Sequence, residues 1–197
     1  MFYDSAFRPI LQADMLKLFA LYYLGGLVVD LDVELLKPFP QAWTGIEAPI
    51  ASCDVVVGIE SDCYDDDCVK YFDRKGQVQN WAMFARRPRS PFLGELLEFI
   101  VAKYHAMTPL NEDTQVQEVA GSGPITDFIQ RYGNFSHPHY HIQASAAGET
   151  LESDPSSILR IQKHNEEVCI VGSRYTGGGC KGQPECLVSH LFEGSWH

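Results

Sequence analysis

Residues 27–33 read LVVDLDV, an apolar run that leads into two aspartates, Asp30 and Asp32. The run is short and rich in β-branched residues, which favours a buried strand over a helix. Side chains at positions i and i+2 of a strand point to the same side, so we expect the two carboxylates to converge. Because charges at the end of a buried strand need compensation, a divalent cation is their natural partner. The alternative is a pair of acids that face water.

A helix and a double glycine precede this strand. Apolar side chains repeat at spacings of three and four, which predicts a helix over residues 10–23. These side chains are Leu11, Met15, Leu18, Phe19 and Tyr22. Gly25 and Gly26 then end the helix. Because glycine lacks a Cβ, the backbone can turn tightly here and approach a ligand.

Strands and helices alternate along the rest of the chain. Apolar runs predict strands over 54–60, 79–85 and 168–171, and helical spacing predicts helices over 91–104 and 125–132. This alternation is typical of an α/β domain with a mostly parallel central sheet. A chain of 197 residues can build one sizeable core, so we expect residues 1–197 to form a single domain.

Charge and hydropathy exclude several classes of function. The chain carries 26 Asp and Glu residues against 15 Lys and Arg residues, a net charge of −11. This charge opposes a phosphate backbone, and the densest basic segment, residues 86–89, is short and broken by proline. We therefore expect no nucleic-acid partner. Apolar runs fall short of the ~18 residues that cross a bilayer, so we expect no membrane span in this chain.

The cysteines leave the redox state open. Cys63 and Cys68 flank an acidic loop, and Cys180 and Cys186 flank a loop rich in glycine and proline. Neither pair has the two-residue gap typical of zinc knuckles. Two local disulfides and a set of reduced thiols are both compatible with this pattern.

The segment from Ala13 to Asp32 resembles the sugar-nucleotide-binding core of glycosyltransferase family 32. It reads ADMLK at residues 13–17 and YYLGGLVVDLD at residues 22–32, and LKP follows at residues 36–38. In that family a helix that bears an acid leads through a double glycine into the D-x-D strand. Four further motifs occur in the order seen in the fungal initiation-specific α-1,6-mannosyltransferases of the family. They are VVVGIE at 55–60, QNW at 79–81, GPIT at 123–126 and HLFEGSW at 190–196.

The resemblance, which runs from about Phe7 to Trp196, implies a GT-A-like nucleotide-diphospho-sugar transferase fold. It implies that the chain lacks part of the N-terminal nucleotide-binding half, as well as the membrane anchor of its relatives. The implied reaction is a retaining α-1,6 transfer of mannose from GDP-mannose to an N-linked glycan, with Mn²⁺, in the Golgi lumen. A mannosyltransferase complex is an implied partner. The alternatives are transfer to an inositol phosphoceramide and a catalytically weak remnant that serves as a subunit of such a complex.

The resemblance also assigns roles to residues by position. Asp30 and Asp32 are the implied catalytic residues, since they would hold Mn²⁺ against the donor diphosphate, with His190 as a further ligand. The implied donor contacts are Asp14, Gly25, Gly26, Asp30, Ser195 and Trp196. The acceptor contacts suggested for this pattern are Glu60, Trp81 and Thr126.

Four of these assignments have structural alternatives. Asp14 equally suits a helix N-terminus, where a negative charge is favourable. Trp81 also suits a core position. The motif at 190–196 also suits an exposed tail anchored by one tryptophan, and the start of GPIT also suits a plain helix cap.

Overall fold

A computed structural model describes residues 9–63, 67, 70–107, 116–135, 140–145, 148–154 and 156–193. In chain order the helices are α1 (Pro9–Leu24), α2 (Gln41–Thr44), α3 (Pro91–Met107), α4 (Ser122–Gly133) and α5 (Ser173–Thr176), with a 3-10 turn at Val116–Glu118. The strands are β1 (Gly26–Val29), β2 (Val33–Leu35), β3 (Val55–Gly58), β4 (Ala82–Ala85), β5 (Tyr140–Ser145), β6 (Gly148–Ser153), β7 (Ile158–Lys163), β8 (Glu166–Val171) and β9 (Val188–His190).

The central sheet has five strands in the order β1-β4-β3-β8-β7. The expected α/β class is confirmed, but the expected mostly parallel sheet is wrong. Strand β3 pairs in parallel with β8, whereas β1 with β4, β3 with β4 and β7 with β8 are antiparallel. The antiparallel pairing of β7 with β8 arises because these two strands form a hairpin. Its turn residues, His164 and Asn165, both have positive φ angles, of 55° and 58°, as a tight two-residue hairpin turn requires.

Both faces of this sheet are covered. One core cluster lies against α1, α3 and α4 and includes Met15, Phe92 and Ile125. A second cluster on the opposite face includes Trp43 and Trp81. All four residues of β3 and all four of β4 are buried, so these strands are apolar throughout rather than alternating.

The double glycine makes the turn from α1 into β1. Gly25 and Gly26 have φ angles of +68° and +88°, which glycine adopts at little cost. A Cβ on Gly25 would lie 3.1 Å from the carbonyl carbon of Arg87. The close approach is therefore made to the chain's own backbone, at the end of β1 opposite Asp30. A Cβ on Gly26 would meet nothing within 4 Å, so the donor contacts expected of the two glycines stay predictions.

A disulfide joins Cys53 to Cys169 and a second joins Cys180 to Cys186. The local Cys180–Cys186 pair agrees with the sequence, whereas the long-range Cys53–Cys169 pair was not expected. The predicted partner of Cys63, Cys68, lies outside the described residues. Cys53 and Cys169 are fully buried, so this bond lies within the core between β3 and β8.

Candidate active site

The two aspartates lie in a turn between β1 and β2, not within one strand. Strand β1 ends at Val29 and β2 begins at Val33, whose N–H donates to the Asp30 carbonyl at 3.2 Å. The expected continuous strand over residues 27–33 is therefore wrong at its acidic end. A turn brings both side chains together without placing them on one face of a strand.

Strand pairing carries a histidine to this turn. Strands β2 and β9 are antiparallel, with Val33 opposite His190, and the Leu191 N–H donates to the Asp32 carbonyl at 2.9 Å. The ligand atoms of Asp30, Asp32 and His190 all lie within 4.8 Å of one another. The structure thus brings together the three residues that the sequence analysis named as metal ligands.

Helix α1 supplies two charged side chains to the same site. Lys17 Nζ lies 2.6 Å from Asp30 Oδ1 and 3.1 Å from Asp14 Oδ1. Asn80 Nδ2 also donates to Asp14 Oδ1, at 3.0 Å. Burial raises the pKa of the Asp14 carboxyl, and the Lys17 ammonium opposes that rise. Asp14 therefore faces the aspartate turn. A residue that served only as a negative charge at the helix N-terminus would not need this orientation.

These residues line an open cleft of about 420 Å³. Its lining includes Asp14, Lys17, Asp30, Asp32 and His190, together with Pro9, Ile10, Ala13, Leu31 and Glu193. With His190 neutral, the four carboxylates of Asp14, Asp30, Asp32 and Glu193 and one ammonium give this cleft a formal charge of −3. The cleft is therefore electrostatically suited to one divalent cation.

The donor set also suits a hard divalent cation. Carboxylate oxygens and an imidazole nitrogen are ligands that divalent cations such as Mg²⁺ and Mn²⁺ accept. The ligand atoms of Asp30, Asp32 and His190 lie within 4.8 Å of one another, so these three residues would hold the ion. Asp30 would then share its charge between the ion and Lys17.

Both ring nitrogens of His190 lie close to a polar group. Nδ1 accepts the Phe192 N–H at 2.9 Å, and Nε2 lies 3.3 Å from Asp32 Oδ1. Burial lowers the pKa of His190, against the opposing effect of Asp32. On the neutral ring Nδ1 is the acceptor, so the proton is on Nε2 and points to Asp32. Ligation of a metal through Nε2 requires this proton to move to Nδ1.

Trp81 supports the site from beneath. Its ring is only 5% exposed, and its Nε1–H donates to the Thr176 carbonyl at 3.2 Å. The ring lies 4.8 Å from that of His190, and the Trp81 carbonyl accepts the Asp30 N–H at 2.8 Å. The structure therefore favours the core alternative, and it corrects the expected acceptor contact of Trp81.

Thr126 is also placed in the core. It is fully buried, and its hydroxyl donates to the Ser122 carbonyl at 2.7 Å and accepts the Val78 N–H at 2.9 Å. Its expected acceptor contact is corrected, because the hydroxyl is already used to join α4 to the loop before β4. Glu60 is half-buried at the end of β3, and Gln77 Nε2 donates to its carboxylate at 2.6 Å. Burial raises the pKa of Glu60 to about 7.

The remaining donor candidates do not reach the cleft or cannot be placed. Gly25 and Gly26 lie at the far end of β1, away from Asp30. Ser195 and Trp196 lie outside the described residues. Sequence reasoning missed Lys17, although its position three residues after Asp14 on one helix face was a usable signal. It also gave no separate role to Phe192, since nothing in the sequence shows that this ring is exposed.

The acidic turn and its cleft carry the D-x-D pattern of residues 30–32. Residues 1–49 match the family described as a glycosyltransferase sugar-binding region containing a DXD motif. This match confirms the resemblance to the DXD glycosyltransferases of the family 32 type. The chain is also 23% identical over 215 residues to the initiation-specific alpha-1,6-mannosyltransferase of Candida albicans. That alignment covers 96% of this chain and 54% of the relative, so the chain spans about half of the relative's length.

A solved structure, the PaToxG glycosyltransferase, shows 18% identity and a TM-score of 0.39 to this chain. The match covers 62% of this chain and 35% of that protein. Among the described residues, no helix combines the length and the apolar character needed to cross a membrane.

Proposed function

We propose that this chain is a metal-dependent mannosyltransferase that transfers mannose from GDP-mannose to a hydroxyl of a glycan. The observation that carries the proposal is the convergence of Asp30, Asp32 and His190 beside Asp14 and Lys17 in one cleft. The DXD family match supports a sugar-nucleotide donor, and the Candida relative supports mannose as the transferred sugar.

The chemistry of the donor explains why these residue types are needed. Cleavage of the bond between sugar and phosphate develops negative charge on the departing diphosphate. A Mn²⁺ ion bound here would neutralise that charge and so favour the transition state over the ground state. Asp30, Asp32 and His190 are the residues that would hold the ion. They are mounted on a turn and a short strand pair, which fixes their relative positions.

The other cleft residues have roles in binding the donor. We assign the Lys17 ammonium to a phosphate oxygen of the donor. This ammonium lies at the cleft wall, where it contacts the carboxylates of Asp14 and Asp30. The Asp14 carboxylate is placed to accept a sugar hydroxyl. Ser195 and Trp196 follow Glu193 closely in the chain, and we assign them to the diphosphate end of the donor.

The proposal extends to the acceptor and the setting of the reaction. The Candida relative, by its name an alpha-1,6-mannosyltransferase, supports an α-1,6 transfer. We extend the proposal to a retaining transfer to an N-linked glycan by a GT-A-like fold. We assign Glu60 to the binding of the acceptor and residues 1–197 to a single domain. We further propose that the protein works in the Golgi lumen, as part of a mannosyltransferase complex. Buried disulfides agree with a secretory compartment.

Titration calorimetry tests the donor site directly. GDP-mannose is titrated into the protein with and without Mn²⁺, beside Asp32→Asn and the control variant Asp62→Asn. Asparagine preserves the shape of Asp32 and its acceptor oxygen for the Glu193 N–H, but it removes the charge. Asp62 is an exposed acid outside the cleft lining.

We expect binding that requires Mn²⁺, a loss of at least about tenfold in affinity for Asp32→Asn, and no change for Asp62→Asn. Equal affinity of Asp32→Asn and the parent protein would refute the site. Binding of the donor without transfer to a mannose-containing glycan would instead favour an inositol phosphoceramide acceptor or a non-catalytic subunit.

A further inference from the structure

Phe192 carries an aromatic ring that is 56% exposed beside the aspartate turn. The ring centroid lies 4.3 Å from that of His190 and 5.6 Å from that of Trp81. The cleft with Asp14 and Lys17 lies on one side of His190, and Phe192 packs on His190 from outside that lining. The His190 ring is tilted by 47° to the Phe192 ring and the Trp81 ring by 81°, so the site holds Phe192 while more than half of the residue stays exposed.

The backbone holds this ring in an uncommon conformation. Phe192 has a φ angle of +54°, which bulky residues rarely adopt. Its N–H donates to His190 Nδ1, and the edge of its ring rests on Gly178, where a Cβ would lie 3.0 Å from Cζ. An exposed aromatic ring in a left-handed backbone contributes little to folding, and such positions occur where function requires them.

The surroundings of the ring are part apolar and part acidic. Leu191 and Leu31 are also exposed, and the Leu191 N–H donates to the carbonyl of Asp32. On the other side the Gly178 N–H donates to the carbonyl of Glu60 at 2.8 Å. Phe192 therefore lies between the aspartate turn and the end of β3, which carries the Glu60 carboxyl.

We propose that the exposed part of the Phe192 ring is the platform on which the pyranose ring of the acceptor stacks. A pyranose has an apolar face of C–H groups and a rim of hydroxyls, which matches a flat aromatic ring beside the polar aspartate turn. The inference rests on the proposed function, because it assigns the donor to the Asp14 and Lys17 side of His190. The acceptor hydroxyl then approaches the donor from the Phe192 side.

Saturation-transfer NMR with methyl α-D-mannopyranoside as the probe tests this platform. The parent protein is compared with Phe192→Ala, Phe192→Leu and Phe192→Tyr. Leucine keeps the apolar bulk and removes the flat ring, whereas tyrosine keeps the ring. Tyr23→Ala is the matched control, because Tyr23 is 61% exposed and lies in the last turn of α1, which precedes the end of β1 remote from Asp30. GDP-mannose and Mn²⁺ are titrated into the same proteins by calorimetry.

We expect Phe192→Ala and Phe192→Leu to lose roughly tenfold in affinity for the glycoside, and Phe192→Tyr and Tyr23→Ala to keep it. Donor affinity stays within about twofold in all four variants. Glycoside binding that is absent from the parent protein, or unchanged in Phe192→Ala, overturns the inference. Loss of GDP-mannose affinity alone in Phe192→Ala also overturns it, since the ring would then serve the nucleobase. If the parent protein does not bind GDP-mannose but binds the glycoside in a way that depends on Phe192, the proposed function is refuted and the role of Phe192 in sugar binding is supported.

Discussion

Lys17 Nζ lies 2.6 Å from Asp30 Oδ1, and this contact ties helix α1 to the aspartate turn. The same ammonium lies 3.1 Å from Asp14, so one cation stands between two of the four cleft carboxylates. In the protein without a metal, Lys17 therefore offsets part of the repulsion among these acids.

Replacement of Lys17 by methionine separates its structural effect from its electrostatic effect. The Lys17 side chain is only 14% exposed, so we expect Lys17→Met to lower the free energy of unfolding by about 1–3 kcal/mol in urea denaturation. We expect Mn²⁺ to bind roughly tenfold more tightly in calorimetry, because a repelling charge has been removed. Weaker Mn²⁺ binding would mean that Lys17 is needed to organise the turn.

Lys70→Met is the matched control for this variant. Lys70 forms the same i,i+3 pair with Asp67, at 2.7 Å, but both side chains are more than half exposed. We expect its loss to change stability by no more than about 0.5 kcal/mol and to leave Mn²⁺ binding unchanged.

Binding of a divalent cation should change the tautomer of His190. Without metal, the Phe192 N–H occupies Nδ1, so the proton is on Nε2. We expect long-range ¹H–¹⁵N correlation spectra of the protein at neutral pH to show this form, and saturating Mg²⁺ to move the proton to Nδ1 and shift the Phe192 amide signal. Asp32→Asn should suppress the change. An Nε2 proton that persists in saturating Mg²⁺ would show that the carboxylates hold the ion alone.

The sequence allows prediction of local features of this site but not of its long-range contacts. The periodic apolar stripe of α1, the double glycine and the adjacency of Asp30 and Asp32 are local, and each was predicted. The turn in which Asp30 and Asp32 meet was not predicted. The same apolar run fits a strand that continues through both aspartates and a strand that ends before them. Pairing of His190 with Val33 depends on the register of two three-residue strands, β2 and β9, which spacing alone does not specify.

The mixed sheet was missed for a related reason. His164 and Asn165 occupy the tight turn between β7 and β8 without the glycine that usually marks such turns. The expected acceptor contacts of Trp81 and Thr126 failed because a motif does not reveal burial. Both side chains are almost completely enclosed by the core that supports the cleft.

The long-range disulfide should contribute more stability than the local one. Cys53 and Cys169 are separated by 116 residues, and Cys180 and Cys186 by 6. Loop entropy in the unfolded chain gives about 5 kcal/mol for the first bond and about 2 kcal/mol for the second. We expect the double variant Cys53→Ala/Cys169→Ala to lose more stability in urea than Cys180→Ala/Cys186→Ala. Equal losses would point to native-state contacts rather than chain entropy as the source.

Glu60 should make stability depend on pH above the range of ordinary carboxyl groups. Its pKa is about 7 in the folded protein, raised mainly by burial, against an ordinary value of 4.5. Between these values the folded state binds more protons at Glu60 than the unfolded state does, so stability falls as pH rises. The full loss is on the order of 3 kcal/mol above pH 7.

Glu60→Gln removes this titration while keeping an oxygen that can accept from Gln77 Nε2. We therefore expect the variant to be more stable than the parent protein at pH 8 and to show a flatter stability profile between pH 5 and 8, measured by urea unfolding. Glu98→Gln, a change at an exposed acid on α3, is the control and should follow the parent profile. If the parent and Glu60→Gln profiles coincide, Glu60 is charged in the folded protein at neutral pH. The ionised carboxylate of Glu60 would then only accept a hydrogen bond from the hydroxyl of the sugar acceptor.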